Sequence, residues 1–159
     1  MTPEIKIAPV RKSIRVKAPL EIAFDVFTDG LTRWWPLSTN ISKKPAQKVL
    51  MEPRLGGRWL EIGEDGAETL VATVAVWEPP QHLVLLWHVN AQFEPDPAMQ
   101  SEVDVRFAAE GPDVTLVELV HDKFETMGAE AGASMRKAVD GGWPGLMERF
   151  AKEAERSGA

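Results

Sequence analysis

The sequence predicts an α+β fold: a curved antiparallel sheet wrapped round one long C-terminal helix. Two observations carry that prediction. Between residues 48 and 121 lie about six β-rich segments separated by turn signals, the pattern of consecutive hairpins. In residues 134–156, Met135, Val139, Trp143, Leu146, Met147, Phe150 and Ala154 recur at spacings of three and four, an apolar stripe along a helix. A hairpin sheet commonly keeps one face wet and one packed. Only this helix has a stripe long enough to cover the packed face.

The elements follow in order. Residues 1–10 hold two prolines and little periodicity, and read as an N-terminal extension or the start of a strand. Residues 12–17 alternate Ser13, Arg15 and Lys17 with Ile14 and Val16, a half-buried strand. Ala18-Pro19 opens a helix with Leu20, Ala23, Phe24 and Phe27 inward, and Thr28-Asp29-Gly30 stops it. Residues 31–35 make a short extra turn before Pro36, anchored by Trp34 and Trp35, and residues 36–48 have loop composition. Strands are expected at 48–52, 58–62, 68–77, 83–88, 101–108 and 114–121. Gly56-Gly57, Asp65-Gly66, Pro79-Pro80 and Gly111-Pro112-Asp113 supply turns between them. Residues 93–99 contain two prolines and are irregular.

The C-terminal helix has an oddity. Gly141-Gly142-Trp143-Pro144-Gly145 interrupts the stripe, although each interior Gly costs about 1 kcal/mol and an interior Pro about 3 kcal/mol against Ala. We expect one continuous helix kinked at Pro144, with the glycines thinning the wall beside Trp143. On that expectation Gly142→Leu fills the space.

A length of 159 residues suits one domain, expected over 11–157, that buries about 70% of its unfolded surface. A net charge of −6 argues against a nucleic-acid surface, which needs a basic face. No apolar run suggests a signal peptide or a membrane span. With no cysteine, disulfides and thiolate chemistry are excluded, and a cytoplasmic location is expected. Six Trp and no Tyr point to aromatic packing or contact with apolar ligands rather than phenol chemistry.

Trp34-Trp35, Leu55-Gly56-Gly57-Arg58-Trp59, Asp65-Gly66, Trp77-Glu78-Pro79-Pro80, residues 83–87, His121 and Gly142-Trp143 occur in this order. In that order the chain resembles the Hsp90-ATPase-activator-homologue branch of the START-like (SRPBCC, helix-grip) superfamily over about residues 11–156. The resemblance implies a helix-grip fold, with a cavity between the concave sheet and the C-terminal helix that often accepts apolar small molecules. It does not carry chaperone activation to this chain, because the eukaryotic activator has an additional N-terminal domain that is missing from this sequence.

Alternation selects candidate lining residues. Leu83, Leu85 and Trp87 share one side of their strand, placed inward because the other side ends in the polar His88. If Val103, Val105 and Phe107 pair with Val117 and Leu119, His121 points inward and Glu118 outward near Arg106. The opposite register buries Glu118 without a partner. Trp59 and Glu61 share a side, with Glu61 at the cavity edge or in its interior. The plainer reading is a strand-end charge near the rim. Phe93 covers the cavity mouth or pins its loop. The candidate ligand-binding residues are therefore Trp59, Trp87, Phe93, His121, Met135, Val139, Trp143 and Met147, each weighed against plain core packing.

No nucleophile elbow, phosphate loop, dinucleotide fingerprint or HExxH motif occurs. His88 and His121 fall on opposite faces, so no metal site is expected, and no cofactor. The leading function is binding of a small hydrophobic molecule. The runner-up is a protein-interaction module with a filled cavity, a chaperone partner being left open. The third is a cavity enzyme using Glu61 and His121 as acid and base. An exposed edge strand is able to pair two copies as a homodimer.

Overall fold

A computed structural model describes residues 7–37, 46–90, 92 and 94–158. Strand β1 (Val10–Val16) leads into helix α1 (Leu20–Thr28) and the single turn α2 (Leu31–Trp34). Six strands follow: β2 (Ala46–Met51), β3 (Arg58–Gly63), β4 (Glu68–Glu78), β5 (His82–Trp87), β6 (Ser101–Gly111) and β7 (Val114–Asp122). A 3-10 turn (Phe124–Met127) precedes helix α3 (Ala129–Gly158). The seven strands form one antiparallel sheet in the order β1-β7-β6-β5-β4-β3-β2. Each hairpin lies beside the next, and β1 returns to pair with the last strand, Val10 opposite His121 and Val16 opposite Thr115. This is the α+β architecture the patterning predicts and the helix-grip fold the resemblance implies.

Local chemistry explains the elements. Pro19 sits at the N-cap of α1 in an extended conformation, where its missing N–H is harmless. Ala23, Phe24 and Phe27 turn inward from α1 as expected. Gly66, in the turn after β3, has φ of 83°, a conformation other residues adopt only at a steric cost. The curvature of the sheet comes from register shifts between Trp59 and Leu60 on β3 against β4, between Val74 and Val76 on β4, and near Ala109 on β6. Each adds a residue to one strand, which bends it and increases its twist.

The concave face closes on α3. Met135, Val139, Trp143, Met147, Phe150 and Ala154 are all buried along one side of that helix. The helix begins at Ala129, one turn earlier than the apolar periodicity suggests, because the sequence from Ala129 to Gly132 carries no large apolar residue to announce it. There α3 packs backbone against backbone: a Cβ on Gly132 would collide with the Phe124 carbonyl oxygen. The helix is continuous through Pro144.

The glycines correct the expectation placed on them. Gly141, Gly142 and Gly145 are exposed, and a Cβ built on any of them meets nothing within 4 Å. They lie on the solvent side of α3, one or two residues from Trp143 in sequence but on another face at 100° per residue. They do not thin the wall of the interior, and a leucine at position 142 would extend into solvent. Among the described residues no helix is long and apolar enough to cross a membrane.

Candidate functional site

The interior between the sheet and α3 is lined by tryptophan. Trp59 comes from β3, Trp87 from the end of β5, Trp143 from the middle of α3, and Trp35 from the residue that ends α2. All four are at most 5% exposed, and their rings touch in series. Centroids lie 4.8 Å apart for Trp35 and Trp59, 5.3 Å for Trp59 and Trp87, and 5.9 Å for Trp87 and Trp143. The first two contacts are edge-to-face, the arrangement that sets a positive ring edge against a negative ring face.

Polar groups are set among these rings. His121, fully buried on β7, lies 6.0 Å from the Trp87 ring and stacks on Phe124 at 4.8 Å. Its Nδ1 accepts the indole N–H of Trp143 at 3.1 Å, and its Nε2 lies 2.9 Å from Ser101 Oγ. An indole nitrogen only donates, so Nδ1 carries the lone pair and the ring proton resides on Nε2. Burial lowers the pKa of this imidazole to about 3, because a charged ring cannot be solvated there. His121 is therefore a neutral donor to Ser101. Glu61, 1% exposed, accepts the Trp35 indole N–H at 3.1 Å on Oε2.

Among the described residues, two buried side-chain donors have no acceptor. The indole nitrogens of Trp59 and Trp87 are buried, and neither finds a hydrogen-bond partner. Buried polar groups in folded proteins are nearly always paired with protein or water, and an orphan of this kind costs about 1–3 kcal/mol.

The register that points His121 inward is present: Val103 pairs with His121, Val105 with Leu119 and Phe107 with Val117, and Arg106 stands opposite Glu118. Met135, Val139 and Met147 join Trp143 on the buried side of α3. Phe93 lies outside the described residues. Two further expectations need correction. Glu61 is not a rim charge, since the strand carries it inside beside Trp35. Nor is His88 on a wet face. It is 6% exposed, donating from Nδ1 to the Met99 carbonyl at 2.8 Å, with Nε2 2.9 Å from Thr73 Oγ1. The segment after β5 folds back to cover that outer side, Asp96 N–H bonding to the His88 carbonyl at 2.8 Å.

Glu61 and His121 serve different partners, with Trp35 and Trp87 in ring contact between them at 6.0 Å. Among the described residues no group of three or more acidic or histidine side chains is placed to hold a metal ion.

Sequence reasoning missed Trp35 and Ser101. Of the tryptophan pair, Trp34 does anchor its turn, donating to the Val26 carbonyl at 2.8 Å and packing on Phe27 and Phe150. Trp35 starts the extended segment that follows α2 and projects into the interior instead. Ser101 was legible, because it lies two residues before Val103 on the same face of β6. Two grooves lined by described residues lie outside this cluster. One of about 470 Å³ is bounded by Gln92, Met127, Ala131 and Ser134. A second, of about 560 Å³, lies near Leu20, His82, Arg106 and Glu118.

Comparisons with known proteins agree with this architecture. The family model described as "Activator of Hsp90 ATPase homolog 1-like protein" matches residues 17–155. A comparison with curated proteins gave no match. Among solved structures, the chain is similar to the anthrahydroquino-gamma-pyrone synthase Txn09 complexed with SUM. The two are 36% identical over 92% of this chain and 97% of that one, with a TM-score of 0.65. It is also similar to CalC, a self-sacrificing resistance protein from Micromonospora echinospora, at 32% identity over 95% and 96% of the two chains and a TM-score of 0.71. The Aha1 dimer from Colwellia psychrerythraea shares 16% identity over 94% of this chain and 97% of that one, with a TM-score of 0.65, a likeness of fold alone. On the family match, which spans most of its length, the chain belongs to the activator of Hsp90 ATPase homolog 1-like family.

Proposed function

We propose that this protein binds a small, largely apolar molecule between the concave sheet and α3, against Trp35, Trp59, Trp87 and Trp143. The observation that carries the reading is the pair of buried indole N–H groups without acceptors. A core selected for packing alone has no reason to keep two such donors, together with Glu61, Ser101 and His121, in its middle. A binding site has a reason, since a few fixed polar groups in an apolar surround orient a ligand. Of two relatives above 30% identity, a synthase and a resistance protein, the synthase supports a small-molecule role over a purely structural one.

The contacts among these rings also favour the runner-up, a protein-interaction module in keeping with the chaperone-linked family description. The free edges of the sheet, β1 and β2, are where a second copy would pair. An acid–base enzyme is the weaker reading, since both nitrogens of His121 are engaged and its proton affinity is low. Native mass spectrometry of freshly purified protein tests the proposal. A co-purified small molecule released on denaturation is expected. Protein that is empty from several hosts, and that takes up no apolar aromatic compound when offered, would favour the interaction module.

A further inference from the structure

We infer that the interior is built for an uncharged, flat molecule rich in hydrogen-bond acceptors, one presenting carbonyl oxygens rather than hydroxyl or amine donors. The inference rests on the binding reading above and goes on to name the ligand's chemistry.

The balance of donors and acceptors carries it. Trp59 and Trp87 each hold a buried N–H with no acceptor, and their rings are in contact at 5.3 Å. Ser101 supplies a third donor. The Trp143 N–H fixes the lone pair of His121 on Nδ1, so Nε2–H donates to Ser101 Oγ. A hydroxyl that accepts from the imidazole keeps its own hydrogen for another acceptor. Ser101 is fully buried and pairs directly across the sheet with Trp87, which puts this hydroxyl on the same side of the sheet as that orphan indole.

Two acceptor atoms of the same interior are already engaged. His121 Nδ1 takes the Trp143 proton, and Glu61 Oε2 takes the Trp35 proton. A ligand donor would compete for occupied positions, whereas a ligand acceptor satisfies groups that now cost stability. Charge narrows the class further. The buried charged and polar side chains among the described residues include the acid Glu61 but no Lys or Arg. An anion would therefore be desolvated beside this acid, with no buried Lys or Arg among the described residues to pair it. The edge-to-face tryptophans favour a planar aromatic body.

Xanthone and xanthene test this directly. They are tricycles of nearly the same shape, and only xanthone has the carbonyl. Titrated against the full chain with tryptophan fluorescence as readout, xanthone is expected to bind about tenfold more tightly or better, the worth of one well-made hydrogen bond from a buried donor. Trp59→Phe and Trp87→Phe keep a ring but remove the N–H. At least one of them is expected to bring the xanthone-to-xanthene affinity ratio close to unity. Equal affinities in the unaltered protein, or tighter binding of xanthene, would overturn the inference while leaving the binding reading intact. If neither compound binds, both the inference and the reading beneath it fall.

Discussion

His121 shows how one buried side chain couples packing to protonation. Its folded-state pKa of about 3 lies well below the ordinary 6.5. Between those values the unfolded chain binds a proton that the native state refuses, so stability is present above pH 6.5 and declines as pH falls toward 3. By pH 4 the loss from this one group is roughly 3 kcal/mol. His121→Asn removes the titrating group. The stability advantage of the unaltered protein over this variant, measured by urea unfolding, is therefore expected to shrink by about that amount between pH 7 and pH 4. An advantage independent of pH would mean that the imidazole is not held neutral. Glu61 gives a second test at this scale. Glu61→Ala leaves the Trp35 N–H without its 3.1 Å acceptor and opens a void, and is expected to cost about 2–4 kcal/mol. The sequence places Trp59, Trp87, His121 and Trp143 inward by alternation and helical period alone. It does not reveal the depth of Glu61 or His88, because period-2 patterning reports which face a residue takes and not what later covers that face.

Among the elements, α3 was the most legible and also the source of the clearest misreading. Its apolar stripe predicts the buried side, Leu146 being the one member that is only partly buried. Composition alone suggests that three glycines near a tryptophan make room for something, but rotation about the helix axis carries them to the solvent side, where a side chain meets nothing. Gly141→Ala and Gly142→Ala are therefore expected to stabilise the protein by about 0.5–1 kcal/mol each, through helix propensity and a less flexible unfolded chain. Ligand binding should be unchanged, and Gly142→Leu should likewise leave it intact. Gly132→Ala should behave oppositely. The Phe124 carbonyl occupies the space of its Cβ, so the start of α3 must move away from the 3-10 turn, and thermal unfolding should fall by several degrees. That close approach was not legible, since nothing in the local sequence distinguishes Gly132 from the glycines further along the helix. The strands were found because each carries its own alternation and its own turn residues. The bulges that curve the sheet were missed because one extra residue changes pairing without changing composition.

At the scale of the whole molecule, the unusual tryptophan content has a structural answer. Trp35, Trp59, Trp87 and Trp143 come from four elements distant in sequence and meet in one place, where β3, β5 and α3 close on the end of α2. The order of hairpins, with β1 returning to β7, is what brings them together. The central claim is that this meeting place receives a ligand through the unpaired indole N–H groups. Its most direct test is the side-chain N–H region of the proton–nitrogen NMR spectrum, in which each of the six tryptophans gives one indole signal. On titration with xanthone, the Trp59 and Trp87 signals are expected to shift downfield and saturate together. The Trp34 signal, already bonded to the Val26 carbonyl, should stay in place. If Trp59 and Trp87 hold their positions while other signals move or nothing moves, the interior is a filled core and the account is wrong.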